Sequence, residues 1–224
     1  KTITHKKPKM LVTMNQTHSN RIVMISDNHH QGVEYNVELC AIGNEPKVGV
    51  SPIAYSCLSS NDFFYDYYHH MSDYFGEYTN IISVDSDAII SNSKSVIACV
   101  RTADCCPIFI EGDGFFSVIH AGREGSLGLI TQHVCRILKQ MGVCNIAVWF
   151  GPSICVQCYE VDRFTATHFD LKQTNIEQIK CVFPNYYHYE PIDLLSCTKC
   201  RHDLFYSFRS DDEKLRNIFY LTYR

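Results

Sequence analysis

Residues 99–125, reading CVRTADCCPIFIEGDGFFSVIHAGREG, gather a thiol, a carboxylate and an imidazole in one short stretch. Asp104 and Cys105 lie in the tight segment Thr102-Ala103-Asp104-Cys105-Cys106-Pro107, and His120 leads into the small-residue turn Ala121-Gly122. Gathered at strand ends, such groups make either a metal site or a nucleophile site. Thiolate and imidazole are zinc ligands, and a cysteine paired with a histidine base is an activated nucleophile.

The elements that must position these groups can be read from the apolar pattern. Residues 95–100 read as a strand running into the tight segment, and residues 107–110 and 115–119 as a hairpin turning at Glu111-Gly112-Asp113-Gly114. The hairpin can bring Cys105 and His120 to the same end of the sheet. Residues 10–14 and 22–25 read as strands, and the connection over 16–21 carries His18. Residues 81–84, 88–90 and 146–150 are further β-rich runs, and 205–208 and 218–222 are expected as closing strands. A helix is expected over 127–141, where Leu127, Ile130, Val134, Ile137, Leu138 and Met141 share a face and Gly142 is the stop. Its first turn follows Gly125-Ser126, so its free N–H groups could receive an anion near His120. A second helix is expected over 164–171. Asn61 can cap a third, carrying Phe64, Tyr67, Tyr68, Met71, Tyr74 and Phe75 as a packing face. The expected fold is α/β or α+β, a mixed β-sheet core with packed helices, in a single domain over residues 1–224.

At 224 residues the chain can bury a substantial core. Its formal net charge of -4, with no basic block longer than His5-Lys6-Lys7, argues against a nucleic-acid partner. No apolar run approaches the roughly 18 residues of a membrane span, and the short run Met10-Leu11-Val12 behind the basic start is no signal-peptide core. A soluble, cytoplasmic protein is expected, and nothing in the composition sets an oligomeric state. Twelve cysteines fall below disulfide-scaffold density. Cys99, Cys135, Cys144 and Cys181 sit in apolar segments, where a free thiol behaves as a small hydrophobe.

Thr102-Ala103-Asp104-Cys105-Cys106-Pro107 followed by His120-Ala121-Gly122 resembles the TADC-x-P and HAGWRG segments of the laccase-domain family, described as polyphenol oxidases and as purine nucleoside phosphorylases. Further stretches agree in the right order: Gln16-Thr17-His18-Ser19, Asp85-Ser86-Asp87-Ala88, Gly151-Pro152-Ser153-Ile154 leading to Cys158-Tyr159-Glu160-Val161, and Cys197-Thr198 followed by Phe205-Tyr206-Ser207-Phe208-Arg209. The resemblance implies His18, Cys105 and His120 as three ligands of a catalytic zinc with an open fourth position. Asp104 could then orient a ligand imidazole or accept a proton from the nucleophile. The implied reaction is phosphorolysis of purine nucleosides such as adenosine and inosine to base and ribose-1-phosphate, with adenosine deamination and methylthioadenosine cleavage as companion activities. Phosphate asks for arginines, and Arg101, Arg123 and Arg209 are the candidates.

The chain departs from the family pattern at the turn after His120. Arg123 stands at the tryptophan of HAGWRG and Glu124 at its arginine, and the second arginine of the family's YSYRR is Ser210. The hairpin that precedes the first family strand has no counterpart ahead of Met10. Two other readings follow: a cysteine hydrolase using Cys105 with His120 as base, and a degenerate zinc-holding binding protein. The oxidase label implies copper, which a Cys/His site could also take, but three ligands in one cluster do not make a multicopper centre. Two CxxC pairs, Cys155/Cys158 and Cys197/Cys200, outline a zinc ribbon, yet their separation is about twice the usual gap. The resemblance accounts for Cys158 and Cys197 without such a cluster, so a structural zinc there is not the expected reading. The adjacent pairs His29-His30 and His69-His70 diverge in either regular structure and are read as solvated.

Overall fold

The β-branched and aromatic runs of the central stretch pair as their pattern requires. The protein, analysed as a computed structural model, is described over residues 9–27, 35–40, 78–189, 197–210 and 216–222. The strands β1 (Lys9–Met14), β2 (Ile22–Asp27), β3 (Tyr35–Cys40), β4 (Tyr78–Val84), β5 (Ala88–Ser91) and β6 (Val96–Thr102) precede the hairpin. The hairpin itself is β7 (Cys106–Gly112) and β8 (Phe115–Ala121), with Pro107 opposite His120. Its two turn residues, Asp113 and Gly114, both have positive φ, the backbone that a tight hairpin turn demands. After it come the helices α1 (Arg123–Leu127) and α2 (Ile130–Gln140), then β9 (Ala147–Phe150), β10 (Glu160–Asp162), β11 (Thr167–His168), α3 (Leu171–Lys180), β12 (Tyr187–Tyr189) and β13 (Asn217–Thr222).

Two mixed sheets result, ordered β13-β6-β1-β4 and β12-β9-β7-β8-β5-β2-β3, beside the small pair β10-β11. The fold is mixed α/β. Strand alternation assigns the seven-stranded sheet two different neighbours. Val23, Ile25, Ile89, Phe116 and Val118 pack with Met10, Val12, Met14, Val96, Ala98 and Val100 of the four-stranded sheet. From the opposite face, Ile22, Ala88, Ile90, Ile108, Ile110 and Ile119 pack with Ile130, Val134, Leu138, Leu171 and Ile179 of the helices. Each fully buried aliphatic chain in these two layers contributes roughly 1.5–3 kcal/mol of transfer free energy. His120 follows Phe116 and Val118 in alternation, so it lies on the face between the sheets, at their edge.

Three local expectations change. The helix expected over 127–141 is broken, because Leu129 takes a left-handed φ of 62° and α1 ends before α2 begins. Its stop at Gly142, at φ 89°, is as the sequence implies. Of the backbone donors that open α2, Gln132 N–H is taken by Gln178 Oε1 at 3.1 Å, while α1 begins at Gly122 with no side-chain cap. Residues 164–171 are a turn and β11 rather than a helix. The Asp162 carboxylate accepts from Phe164 N–H, and Asp170 caps the later α3 by accepting from Gln173 N–H at 2.8 Å. Residues 205–208 are irregular and not a strand, with the Asn217 amide bonding the backbone of Tyr206 on both sides. The helix expected after Asn61 and both histidine pairs lie outside the described residues. Among the described residues no helix is long and apolar enough to cross a membrane.

Candidate metal centre

Parallel pairing of β1 with both β4 and β6 puts three strand ends side by side, and the candidate ligands leave from these ends and from the end of β8. Past β1, the Gln16 side chain imitates a strand residue: its amide donates to Arg101 O at 2.7 Å and its Oε1 accepts from Arg101 N–H at 2.9 Å. That fixes the loop two residues before His18, which itself adopts a left-handed φ of 57°. Past β6, Asp104 is also left-handed, at φ 86°, and presents Cys105 ahead of β7. Non-glycine residues hold this backbone at a cost of order 1–3 kcal/mol, and it persists where surrounding bonds over-determine it.

Asp87, after β4, supplies those bonds on one side. Its buried carboxylate accepts from Thr17, His18 and Ser19 N–H and from Ser19 Oγ, at 3.3, 3.1, 2.7 and 2.6 Å. It also accepts from His120 Nδ1 at 2.8 Å. Burial alone would raise its pKa, but the hydrogen bonds from His120 and Ser19 outweigh that and bring it down to about 2. On the other side, the Asp104 carboxylate accepts from Thr198 Oγ1 at 2.7 Å and Arg209 N–H at 2.9 Å, and Asp104 O accepts from Ile154 N–H.

One ligand atom from each of His18, Cys105 and His120 lies within 4.8 Å of the others. Cys105 Sγ is 3.7 Å from His18 Nε2, and the two imidazoles meet edge to face at 4.8 Å between centroids. The donor set fits a metal. Asp87 on Nδ1 leaves the Nε2 lone pair of His120 for a cation, and burial, followed by the His120 ring, lowers the pKa of His18, which favours its metal-binding neutral form. Burial, with Asp104 beside it, pushes the Cys105 thiol up to about 12. Gly122 makes the approach possible: a Cβ there would sit 2.9 Å from His18 Cδ2 and 3.1 Å from Cys105 Sγ.

These groups open into a cleft of about 590 Å³ that Arg101, Arg123, Arg209, Arg216 and Tyr159 also line. Arg209 stacks over Tyr159 at 5.1 Å and donates to Glu160 O at 2.8 Å. Arg123 meets Glu124 at 3.5 Å, so one of the candidate phosphate-binding arginines is paired with the carboxylate that replaces the family's arginine.

The structure thus brings together His18, Cys105 and His120, and places Asp104, Arg101, Arg123 and Arg209 around them. The carboxylate on the imidazole is Asp87, however, and not Asp104. The D-x-D-A motif was the available signal for it. Arg216 and the stacking role of Tyr159 carried no signal, since Arg216 stands outside every recognised motif.

Residues 1–195 match the family described as multi-copper polyphenol oxidoreductase laccase. The chain is 33% identical over 109 residues to a purine nucleoside phosphorylase of Rickettsia conorii, covering 45% of each. It is 35% identical over 94 residues to an adenosine deaminase from an unknown prokaryotic organism, covering 38% of this chain and 36% of that one. The matched stretch is therefore less than half the length of these relatives. YlmD from Geobacillus stearothermophilus shares the fold with a TM-score of 0.55 at 24% identity, over 64% of this chain and 63% of that one. A Neisseria meningitidis protein does so with a TM-score of 0.56 at 18% identity, over 94% and 73%. The family match runs over most of the chain, across the span that holds His18, Asp87, Cys105 and His120: the chain belongs to the multi-copper polyphenol oxidoreductase laccase family.

Proposed function

We propose that this cleft is the active site of a zinc-dependent purine nucleoside phosphorylase that takes adenosine and inosine, with adenosine deamination and methylthioadenosine cleavage as side activities. The observation that carries the reading is the convergence of His18, Cys105 and His120, with Nε2 of His120 freed by Asp87, on a cleft lined by arginines. A zinc ion held by these three residues would supply Lewis acidity and lower the pKa of a bound water. Two imidazoles and one thiolate suit zinc, and copper is the alternative metal. The names of the relatives support the choice of substrate.

In phosphorolysis a phosphate oxygen attacks C1′ of the ribose as the C1′–N9 bond breaks. The bonding pair leaves with the base, which takes up the proton that the hydrogen phosphate gives up. Arg101, Arg123 and Arg209 hold the phosphate. The buried Arg123 Nε and Thr102 Oγ1, both at the cleft, have no hydrogen-bond partner among the described residues, which favours a polar ligand there. Tyr159 and Phe208 offer aromatic faces for the base. Asp104 keeps lone pairs beyond those taken by Thr198 and Arg209, and we assign it the proton that the attacking water gives up in deamination and that leaves with the ammonia. The Asp87–His120 pair would equally orient a base for Cys105 as nucleophile. A thiol held near 12 by burial and Asp104 disfavours that reading, because the thiolate then forms only where a cation replaces its proton.

Product analysis with zinc-loaded protein and adenosine tests the proposal, beside a Cys105→Ala control. Adenine and ribose-1-phosphate should appear only with phosphate and vanish in the control. Inosine formed without any need of phosphate would replace phosphorolysis by deamination, and no turnover at full metal occupancy would leave a metal-holding binding protein.

A further inference from the structure

The two CxxC pairs that sequence spacing set apart come together in the fold. Cys155 and Cys158 border the short 3-10 turn Val156–Cys158 after β9, and Cys197 and Cys200 open the turn that follows residue 196. A parallel bridge between Ser153 and Cys197, with Thr198 N–H donating to Ser153 O, holds the segments side by side. The usual spacing rule fails here because the gap is filled by folded chain, β10, β11, α3 and β12, and not by a free loop.

The four sulfurs all lie within 4.8 Å of one another, and Cys158 Sγ is 3.5 Å from Cys200 Sγ. Tetrahedral zinc with Zn–S bonds of about 2.3 Å places its sulfurs about 3.8 Å apart. All four residues are free thiols. Backbone N–H groups of Cys155 and Cys200 point at Cys197 Sγ, at 3.2 and 3.4 Å, which is how a protein offsets the charge of clustered thiolates. We propose that Cys155, Cys158, Cys197 and Cys200 bind a structural zinc ion, separate from the centre at His18, Cys105 and His120.

The ligand sets share no residue, and a closed four-sulfur shell leaves no position for substrate. The second ion acts on the cleft through its wall. It fastens the segment that carries Tyr159 to the turn that carries Thr198, and Thr198 bonds Asp104 next to Cys105.

The test uses the full chain carrying His18→Ala, which disables the first centre. The protein should still purify with one zinc per chain, and X-ray absorption at the zinc edge should show four sulfur neighbours at about 2.3 Å. Adding Cys200→Ser should remove that zinc. Should this double variant not fold, the same spectrum on the single variant decides. A His18→Ala chain without zinc, a shell containing nitrogen or oxygen, or a mass reduced by disulfide formation among the four cysteines would each overturn the proposal. Failure of the phosphorylase assay would leave it untouched, since no nucleoside enters the measurement.

Discussion

Asp87 ties the ligand loop to the ligand strand. Five of its hydrogen bonds reach Thr17, His18 and Ser19 and a sixth reaches His120, so one buried carboxylate sets the position of one imidazole and the orientation of another. Asp87→Asn keeps the volume but turns an N–H₂ group toward donors that need an acceptor. Zinc affinity at the His18 centre, measured by competition with a chromophoric chelator, should fall by about 10- to 100-fold; an unchanged affinity would deny Asp87 this role. The motif around Asp87 was visible in the sequence, yet its partner was not. Aspartates 87 and 104 both stand in recognised motifs, and only the pairing of β5 with β8 places the first of them against His120. Arg123 and Glu124 show the same gap, since their type was legible while their mutual contact depends on how α1 leaves the Gly122 turn.

Elements were legible where burial alone decides them. The apolar runs of β6, β7 and β8 are buried along most of their lengths, so their pattern marks them as strands. Elements set by side-chain to backbone bonds were not legible: the Asx turn at Asp162 and the cap at Asp170 displaced the helix expected over 164–171. Tertiary polar contacts are hidden in the same way. Asn175 of α3 donates to Ser126 Oγ and Leu171 O and accepts from Thr131 Oγ1, all buried, and so locks α1, α2 and α3 together beneath the site. Asn175→Ala leaves Ser126 and Thr131 without these partners and opens a small void. It should cost about 1–3 kcal/mol in denaturant unfolding at an unchanged slope; a loss within a few tenths of a kcal/mol would show that water replaces the amide.

At the scale of the molecule, the site lies at the edge of the space between two sheets, where the ends of β1, β4, β6 and β8 converge. Its shape is a consequence of that topology: the strands are rigid, and the loops leaving them carry the chemistry. Family motifs located those loops in the sequence, whereas Arg216 and the four-cysteine cluster depended on long-range placement and emerged only in the fold. The central claim is that a metal held by His18, Cys105 and His120 makes the cleft a phosphorylase. Its most direct test is a zinc titration of metal-depleted protein, with phosphate-dependent release of adenine from adenosine as the readout. Release should rise with zinc in the parent chain and stay at background in a His120→Ala chain at every zinc level. Equal release from the two chains, or none from the parent at saturating zinc and phosphate, would contradict the account.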